Sequence, residues 1–315
     1  MKNTKNIRQK SYILLIIGAI LLIASVIFTV YAHNTSYEKS QETAAQLSEV
    51  KKQIADAPKD SDVSALEEQK NALSDEKLNQ ERPFSYGLTV LFIAVFLTIK
   101  GIYNATVGKM PSQKADIKRL AQAGLLAALC YIGFAFLKID IPVGAEKTAF
   151  HFGNVFCVLA ALLLGGYWGG MAGAVGMTIA DLTTAYVTSA PKTFLLKLCI
   201  GLIVGLVAHK ICKLSRAHSS RYLTLATIGS CAAGMAFNII ADPLVGYFYK
   251  MYLLGVPQDI SSVLAKWSAV TTSVNAVVAV VAATICYLAL RPALKKSGLF
   301  IELSPEAEEK ETSHA

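Results

Sequence analysis

Polar and ionisable side chains stand inside long apolar stretches in the second half of this chain. A charge within a membrane helix is costly, so each such residue is by default a candidate functional group. The candidates for a solute-binding site are His151, Asn154, Asp181, Lys192, Lys197, Asn238, Asp242, Trp267 and Asn275. The two lysines would suit an anionic or carbonyl group on a ligand, and the indole could stack on a ring. These residue types favour non-covalent binding of a small solute.

Each candidate also has a purely structural explanation, and the sequence leaves both open. Lys192 lies near a span end, where its ammonium could extend to the lipid headgroups. Asp181 could be the ion-pair partner of Lys197, and Asp242, which precedes Pro243, could accommodate a kink. The other candidates could hydrogen-bond between helices or sit at the membrane interface: His151, Asn154, Asn238, Trp267 and Asn275.

The sequence contains none of the motifs that signal catalysis. It has no G-x-x-x-x-G-K-[ST], no H-E-x-x-H and no G-x-S-x-G, so a P-loop ATPase within the chain is excluded. The six cysteines form no C-x-x-C pair and predict neither a zinc site nor a disulfide framework. We therefore expect no enzymatic activity, no metal and no cofactor, and any energy from ATP must come through partner chains.

The overall composition is that of a membrane protein. Of 315 residues, 54% are hydrophobic and 17% are charged, and the mean hydropathy is +0.46. Soluble domains carry about 25% charged residues. A disordered chain, a disulfide scaffold and an ordinary cytosolic enzyme are excluded. The formal charge of +8 is expected to reflect the cytoplasmic loops, and nucleic acid is not expected as a partner.

The apolar stretches predict an all-α integral membrane fold with eight spans. The first stretch has about 20 apolar residues, longer than the 7–15 of a signal peptide, so we interpret it as a retained helix. The predicted spans are residues 12–31, 84–103, 117–137, 151–165, 168–188, 191–212, 222–249 and 262–290.

Lysine and arginine placement predicts the orientation. Cytoplasmic loops are enriched in these residues, and segments 104–116, 209–222 and the tail after Arg291 fit that rule. Both termini are then cytoplasmic in the cell membrane, and segment 34–82 is outside. In this orientation the candidate site residues share the outer half of the bilayer, with Asn275 alone near mid-depth. A shared depth indicates a pocket that opens to the exterior.

Segment 34–82 differs in composition from the rest of the chain. It holds eleven acidic and seven basic residues, and its apolar residues have helical spacing. Pro58 divides it, so we predict two antiparallel helices of about 20 residues each, about 30 Å long, which form an extracytoplasmic coil. A solvated spacer and a docking or lid role both stay open.

Residues 115–294 resemble a known family. The strings are Phe152-Gly153-Asn154, the run from Ala161 to Gly170 (ALLLGGYWGG), Ala180-Asp181-Leu182, and the run from Ala190 to Lys197 (APKTFLLK), followed by Gly201 and Gly205. Together they are similar to the substrate-binding S components of energy-coupling factor (ECF) vitamin transporters, closest to the riboflavin-type and predicted-vitamin branch.

The resemblance implies a six-helix bundle with a high-affinity site near the outer face, closed by loop 138–150. It also implies docking to a membrane T subunit through small residues on the first family helix, here Ala123 and Ala127, and two cytosolic ATPase subunits. Family members usually begin near Ala115. We therefore predict a domain at 115–294, a polar tail at 295–315, and an added transmembrane hairpin at 1–114 that carries the coil.

Two other classes of function stay open at this point. An ion-coupled secondary transporter would use Asp181 and Asp242 as proton or sodium sites. A membrane sensor or scaffold would use the coil 34–82 to bind an extracytoplasmic partner.

Overall fold

The computed structural model describes residues 2–58, 61–106, 117–143, 146–216 and 219–303, with side chains from residue 12 onward. The helices are α1 (Lys2–Ala32), α2 (Glu38–Asp56), α3 (Ser64–Thr106), α4 (Ile117–Ala135), α5 (Gly153–Leu164), α6 (Gly166–Thr183), α7 (Ala190–Gly205), α8 (Ser220–Phe248) and α9 (Gln258–Lys296). Two strands, β1 (Lys138–Val143) and β2 (Glu146–His151), pair as a small sheet between α4 and α5. Residues 107–116 of the predicted cytoplasmic segment, the predicted domain boundary at residue 114 and residues 304–315 of the predicted tail lie outside the described residues.

Six helical stretches of the described chain are long and apolar enough to cross a membrane. They are Tyr12–Asp56, Ser64–Thr106, Ile117–Ala135, Val187–Ile211, Ser220–Leu253 and Gln258–Lys296. The chain is therefore a multi-pass membrane protein. Helix α5 has 12 residues, or about 18 Å of helix against a hydrocarbon core of about 30 Å. The arrangement of eight spans and the side on which each terminus lies stay predictions.

The chain folds into two compact units. The N-terminal unit comprises Met1–Pro111 together with Pro142–Lys147 and Asp181–Pro191. The C-terminal unit comprises Ser112–Ile141, Thr148–Ala180 and Lys192–Ala315.

In the N-terminal unit, α1 packs closely along α3 because glycines face backbone. A Cβ atom on Gly18 would lie 2.6 Å from Thr98 Oγ1, and one on Gly101 would lie 3.1 Å from Leu15 Cα. Small residues of this kind allow membrane helices to approach. Large apolar side chains on the rest of α1, such as Ile23 and Ile27, are exposed, as expected for a lipid-facing helix.

The predicted pair of antiparallel helices is present in segment 34–82. Helix α2 buries Leu47 and Val50, and Thr43 Oγ1 donates a hydrogen bond of 2.9 Å to Gln80 Oε1 of α3. Ala57, directly before Pro58, has extended backbone angles that end α2. The second helix was predicted to have about 20 residues. It is instead the first part of α3, which has 43 residues and continues without interruption into the predicted second span.

In the C-terminal unit, glycines bring three helices into backbone contact. Gly169 and Gly173 of α6 face Ala161 and Cys157 of α5, and Gly201 of α7 faces Gly170 of α6. A methyl group at any of these positions would overlap its neighbour. The glycine-rich stretches thus serve internal packing, which is the plainer of the two explanations that small-residue patterns allow.

The predicted loop 138–150 requires a correction, because it is a β-hairpin. Residues 138–141 alternate Lys-Ile-Asp-Ile, and this two-residue period is the signal of a strand. The fourth predicted span begins at Gly153, and His151 is the last residue of β2. The predicted all-α class is supported by the long helices on both sides of this hairpin.

Candidate functional site

The centre of the candidate site is an ion pair between α7 and α8. Lys192 Nζ donates to Asp242 Oδ1 at 2.9 Å. The other carboxylate oxygen accepts hydrogen bonds from Ser268 Oγ at 2.6 Å and Thr272 Oγ1 at 3.0 Å, both on α9. The Lys192 ammonium therefore binds within the protein, and Asp242 joins three helices.

A second buried lysine lies further along α7. Lys197 Nζ donates to Asn154 Oδ1 at 2.9 Å, and only 6% of Lys197 and 1% of Asn154 are exposed. The hydrogen bond holds the ammonium at the first turn of α5, three residues after His151. The hydrogen bond to Asn154 was not predicted from the sequence.

Strand β2 is fastened to α9 by side chains. Asn275 Oδ1 accepts from the backbone N–H of His151 at 2.9 Å, and Asn275 Nδ2 donates to the Ala149 carbonyl at 3.0 Å. The hydroxyls of Thr148 and Thr271 are 2.8 Å apart. The amide of Asn275 thus takes the place of a neighbouring strand and attaches the hairpin of β1 and β2 to α9.

On α8 and β2, two buried side-chain atoms have no hydrogen-bond partner within the described chain. They are Oδ1 of Asn238 and Nδ1 of His151. Asn238 lies one helical turn before Asp242 on α8, and 1% of it is exposed. An unpaired buried polar group costs about 1–3 kcal/mol. A bound solute with N–H or O–H groups would remove that cost.

These side chains form one polar cluster, which contains two ammonium groups and one carboxylate. Its members are Thr148, His151, Asn154, Lys192, Lys197, Asn238, Asp242, Ser268, Thr271, Thr272 and Asn275. The excess of positive charge suits a solute with carbonyl or anionic groups. Within the described chain, no three His, Cys, Asp or Glu side chains are grouped to hold a metal ion.

The polar cluster as defined above does not include two of the predicted site residues, Trp267 and Asp181. Trp267 is 43% exposed on α9, as expected of an interfacial aromatic residue. Asp181 is buried near the end of α6 and belongs to the N-terminal unit.

The hydroxyl residues of the polar cluster were missed from the sequence. Ser268, Thr271 and Thr272 precede Asn275 by seven, four and three residues, so all four share one face of α9. Their helical spacing around a mid-span asparagine is the signal that could have identified them.

The predicted docking residues lie on a helix with two different faces. Ala123 of α4 is buried, and the carbonyl of Ala127 lies against Gly176 of α6. The neighbouring pair Gly124 and Ala128 is exposed, and a Cβ on Gly124 would meet nothing within 4 Å. The exposed small-residue face of α4 is thus displaced by one residue from the predicted pair.

Comparison with known proteins identifies one family. The model of the family described as ECF-type riboflavin transporter, S component, matches residues 114–292. This range contains every residue of the polar cluster, whereas α1, α2 and α3 precede it. No curated protein and no solved structure matches the chain.

Proposed function

Because the chain belongs to the ECF-type riboflavin transporter S component family, we propose that its polar cluster captures a vitamin-like solute at the outer face of the membrane. A substrate-binding subunit of an importer binds its solute and is not an enzyme. The finer steps are our proposal: a membrane T subunit and two cytosolic ATPase subunits move the solute inward, with both termini of this chain in the cytoplasm.

The observation that carries this proposal is the unpaired, buried polar surface of the cluster. Lys192, Asp242 and the α9 hydroxyls satisfy one another, whereas Asn238 Oδ1 and His151 Nδ1 have no partner in the described chain. Most buried polar groups in proteins are hydrogen-bonded. Two unpaired groups beside two lysines favour a ring solute that carries both donors and carbonyl or anionic acceptors.

The decisive experiment is purification of the full chain in detergent, followed by mass spectrometry of small molecules that remain bound. Riboflavin serves as the added probe, and quenching of its fluorescence reports binding. We expect a retained or added solute in a one-to-one ratio with the chain. Solute uptake that persists in vesicles without any ATPase subunit would instead favour the ion-coupled alternative.

We further propose that the exposed face of α4, with Gly124 and Ala128, docks on the T subunit. Replacing Gly124 by Leu should reduce ATP-driven uptake at least about tenfold, because close helix approach requires small residues. Solute binding by the isolated subunit should not change. Gly229→Leu on α8 is the matched control, because a Cβ there also meets nothing within 4 Å. Equal uptake by the Gly124→Leu and Gly229→Leu variants would refute this docking face.

A further inference from the structure

The N-terminal unit contains a buried ion cluster of its own. Lys77 of α3 binds Glu81 at 2.7 Å and Glu146 at 3.1 Å. Only 8% of Lys77 and 4% of Glu81 are exposed. Lys77 and Glu81 belong to the coil, whereas Glu146 is the first residue of strand β2.

The charges of this cluster reinforce one another. Burial alone lowers the pKa of Lys77, but the Glu146 and Glu81 carboxylates outweigh burial and hold that pKa above its ordinary value. Burial, Glu81 and Glu146 together raise the pKa of Tyr37, which is packed against Phe84 with ring centres 4.3 Å apart. Lys77 is therefore charged, and its ammonium is the bridge between two carboxylates.

Strand β2 is consequently held at both of its ends. At Glu146 it binds the coil through Lys77. At Thr148, Ala149 and His151 it binds α9 through Thr271 and Asn275 of the polar cluster. The strand has six residues, so the two attachments are separated by at most about 17 Å of extended chain.

Helix α3 also meets the connection that precedes α7. Tyr86 Oη donates to the Leu182 carbonyl at 3.4 Å, and α3 packs against the short helix Val187–Ser189. This connection continues directly into Lys192 of the polar cluster. The added helix thus contacts, within its own unit, both chain segments that lead into the candidate site.

We propose that Lys77 is a positioning residue, which fastens the cover hairpin to the coil through Glu146 and so sets how fast the solute enters and leaves. The proposal rests on the solute-binding function proposed above. The family match begins at residue 114, so α1, α2 and α3, and the coil that α2 forms with α3, lie outside it. The N-terminal extension then stabilises the hairpin, and the ion pair between Lys77 and Glu146 attaches the one to the other.

Hydrogen exchange of the full chain in nanodiscs tests this attachment without any solute. In Glu146→Gln, amides of β2 should exchange about tenfold faster than in the unmodified protein, because local opening of the strand becomes easier. Glu81→Gln is the matched control: it removes one carboxylate from the same ammonium but leaves the hairpin contact. Its β2 amides should exchange at the unmodified rate. Unchanged exchange in α8 shows that the fold is intact.

A charge exchange keeps the proposal falsifiable if a single variant disturbs folding. Lys77→Glu combined with Glu146→Lys restores an ion pair of reversed polarity, and it should return β2 exchange to within about threefold of the original rate. A purely structural loss would not be recovered by the exchange. Equal β2 exchange in Glu146→Gln and Glu81→Gln, or no recovery in the double variant, would overturn the proposal.

Riboflavin kinetics provide the second readout. Both the association and the dissociation rate should rise in Glu146→Gln, by about fivefold or more, while the equilibrium constant changes less, because a looser cover speeds entry and exit alike. If the unmodified chain binds no riboflavin or retained solute, the proposed function fails, and the exchange measurement still decides whether Lys77 fastens the hairpin.

Discussion

Two buried ion clusters in the described chain, one in each unit, are built from the same kinds of groups but differ in how completely those groups are paired. In the N-terminal unit, one ammonium lies between two carboxylates, and Lys77 binds both. In the C-terminal unit, two ammonium groups accompany one carboxylate, and Asn238 Oδ1 and His151 Nδ1 have no partner in the described chain. In the first cluster the charged groups bind one another, whereas the second contains polar atoms that are available to a solute.

This difference separates a structural ion cluster, which holds two chain segments together, from a binding site. A buried charge needs partners, and removal of one partner is strongly destabilising. In a structural ion cluster the charged groups therefore bind one another, whereas in a binding site some polar groups are left to bind the solute. We accordingly expect substitutions in the first cluster to change motion, and substitutions in the second to change affinity.

The largest expected effect is on solute affinity in Lys197→Ala. A hydrogen bond to a charged group contributes about 1.5–3 kcal/mol, so affinity for riboflavin or the retained solute should fall about 100-fold. Titration of the purified variant measures it. Lys266→Ala is the control, because Lys266 is an exposed lysine on α9. If Lys197→Ala and Lys266→Ala bind with equal affinity, the polar cluster is not the solute site.

A smaller effect should distinguish Asn238 from Asn275. Asn238→Ala is expected to weaken solute binding about tenfold without lowering the melting temperature, because its carbonyl oxygen has no partner to lose in the described chain. Asn275→Ala should weaken binding and also lower the melting temperature, since it breaks two hydrogen bonds to β2. Thermal unfolding with and without solute measures both. An equal fall in melting temperature in the two variants would mean that Asn238 has a structural role like that of Asn275.

The charged candidates could be predicted from the sequence because charge is rare in apolar spans. Lys192, Lys197 and Asp242 stand out by hydropathy alone. Their partners could not be predicted, since Lys197 binds Asn154 through packing of α7 on α5. Ser268 and Thr272 were missed because hydroxyls are common in membrane helices, where many bond a carbonyl of the preceding turn.

The fold shows the same division between local pattern and long-range contact. The long helices, and the break at Pro58, follow from hydropathy and proline chemistry. The hairpin was missed because its alternation lasts only a few residues. Lys77 was missed because it is one of seven basic residues in segment 34–82, and only the packing of α2, α3 and β2 shows which of them is buried.

The smallest expected effect concerns pH and the N-terminal ion cluster. The pKa of Lys77 is raised above its ordinary value, so its contribution to stability is fully present below the ordinary lysine value of about 10.4 and is lost only as pH rises further. The difference in melting temperature between the unmodified chain and Lys77→Met should therefore stay constant from about pH 7 to pH 10 and shrink above that range, by a few degrees at most. A difference that already shrinks between pH 7 and pH 9 would mean that Glu81 and Glu146 do not stabilise the ammonium. The N-terminal cluster would then not be an ion cluster whose charged groups bind one another.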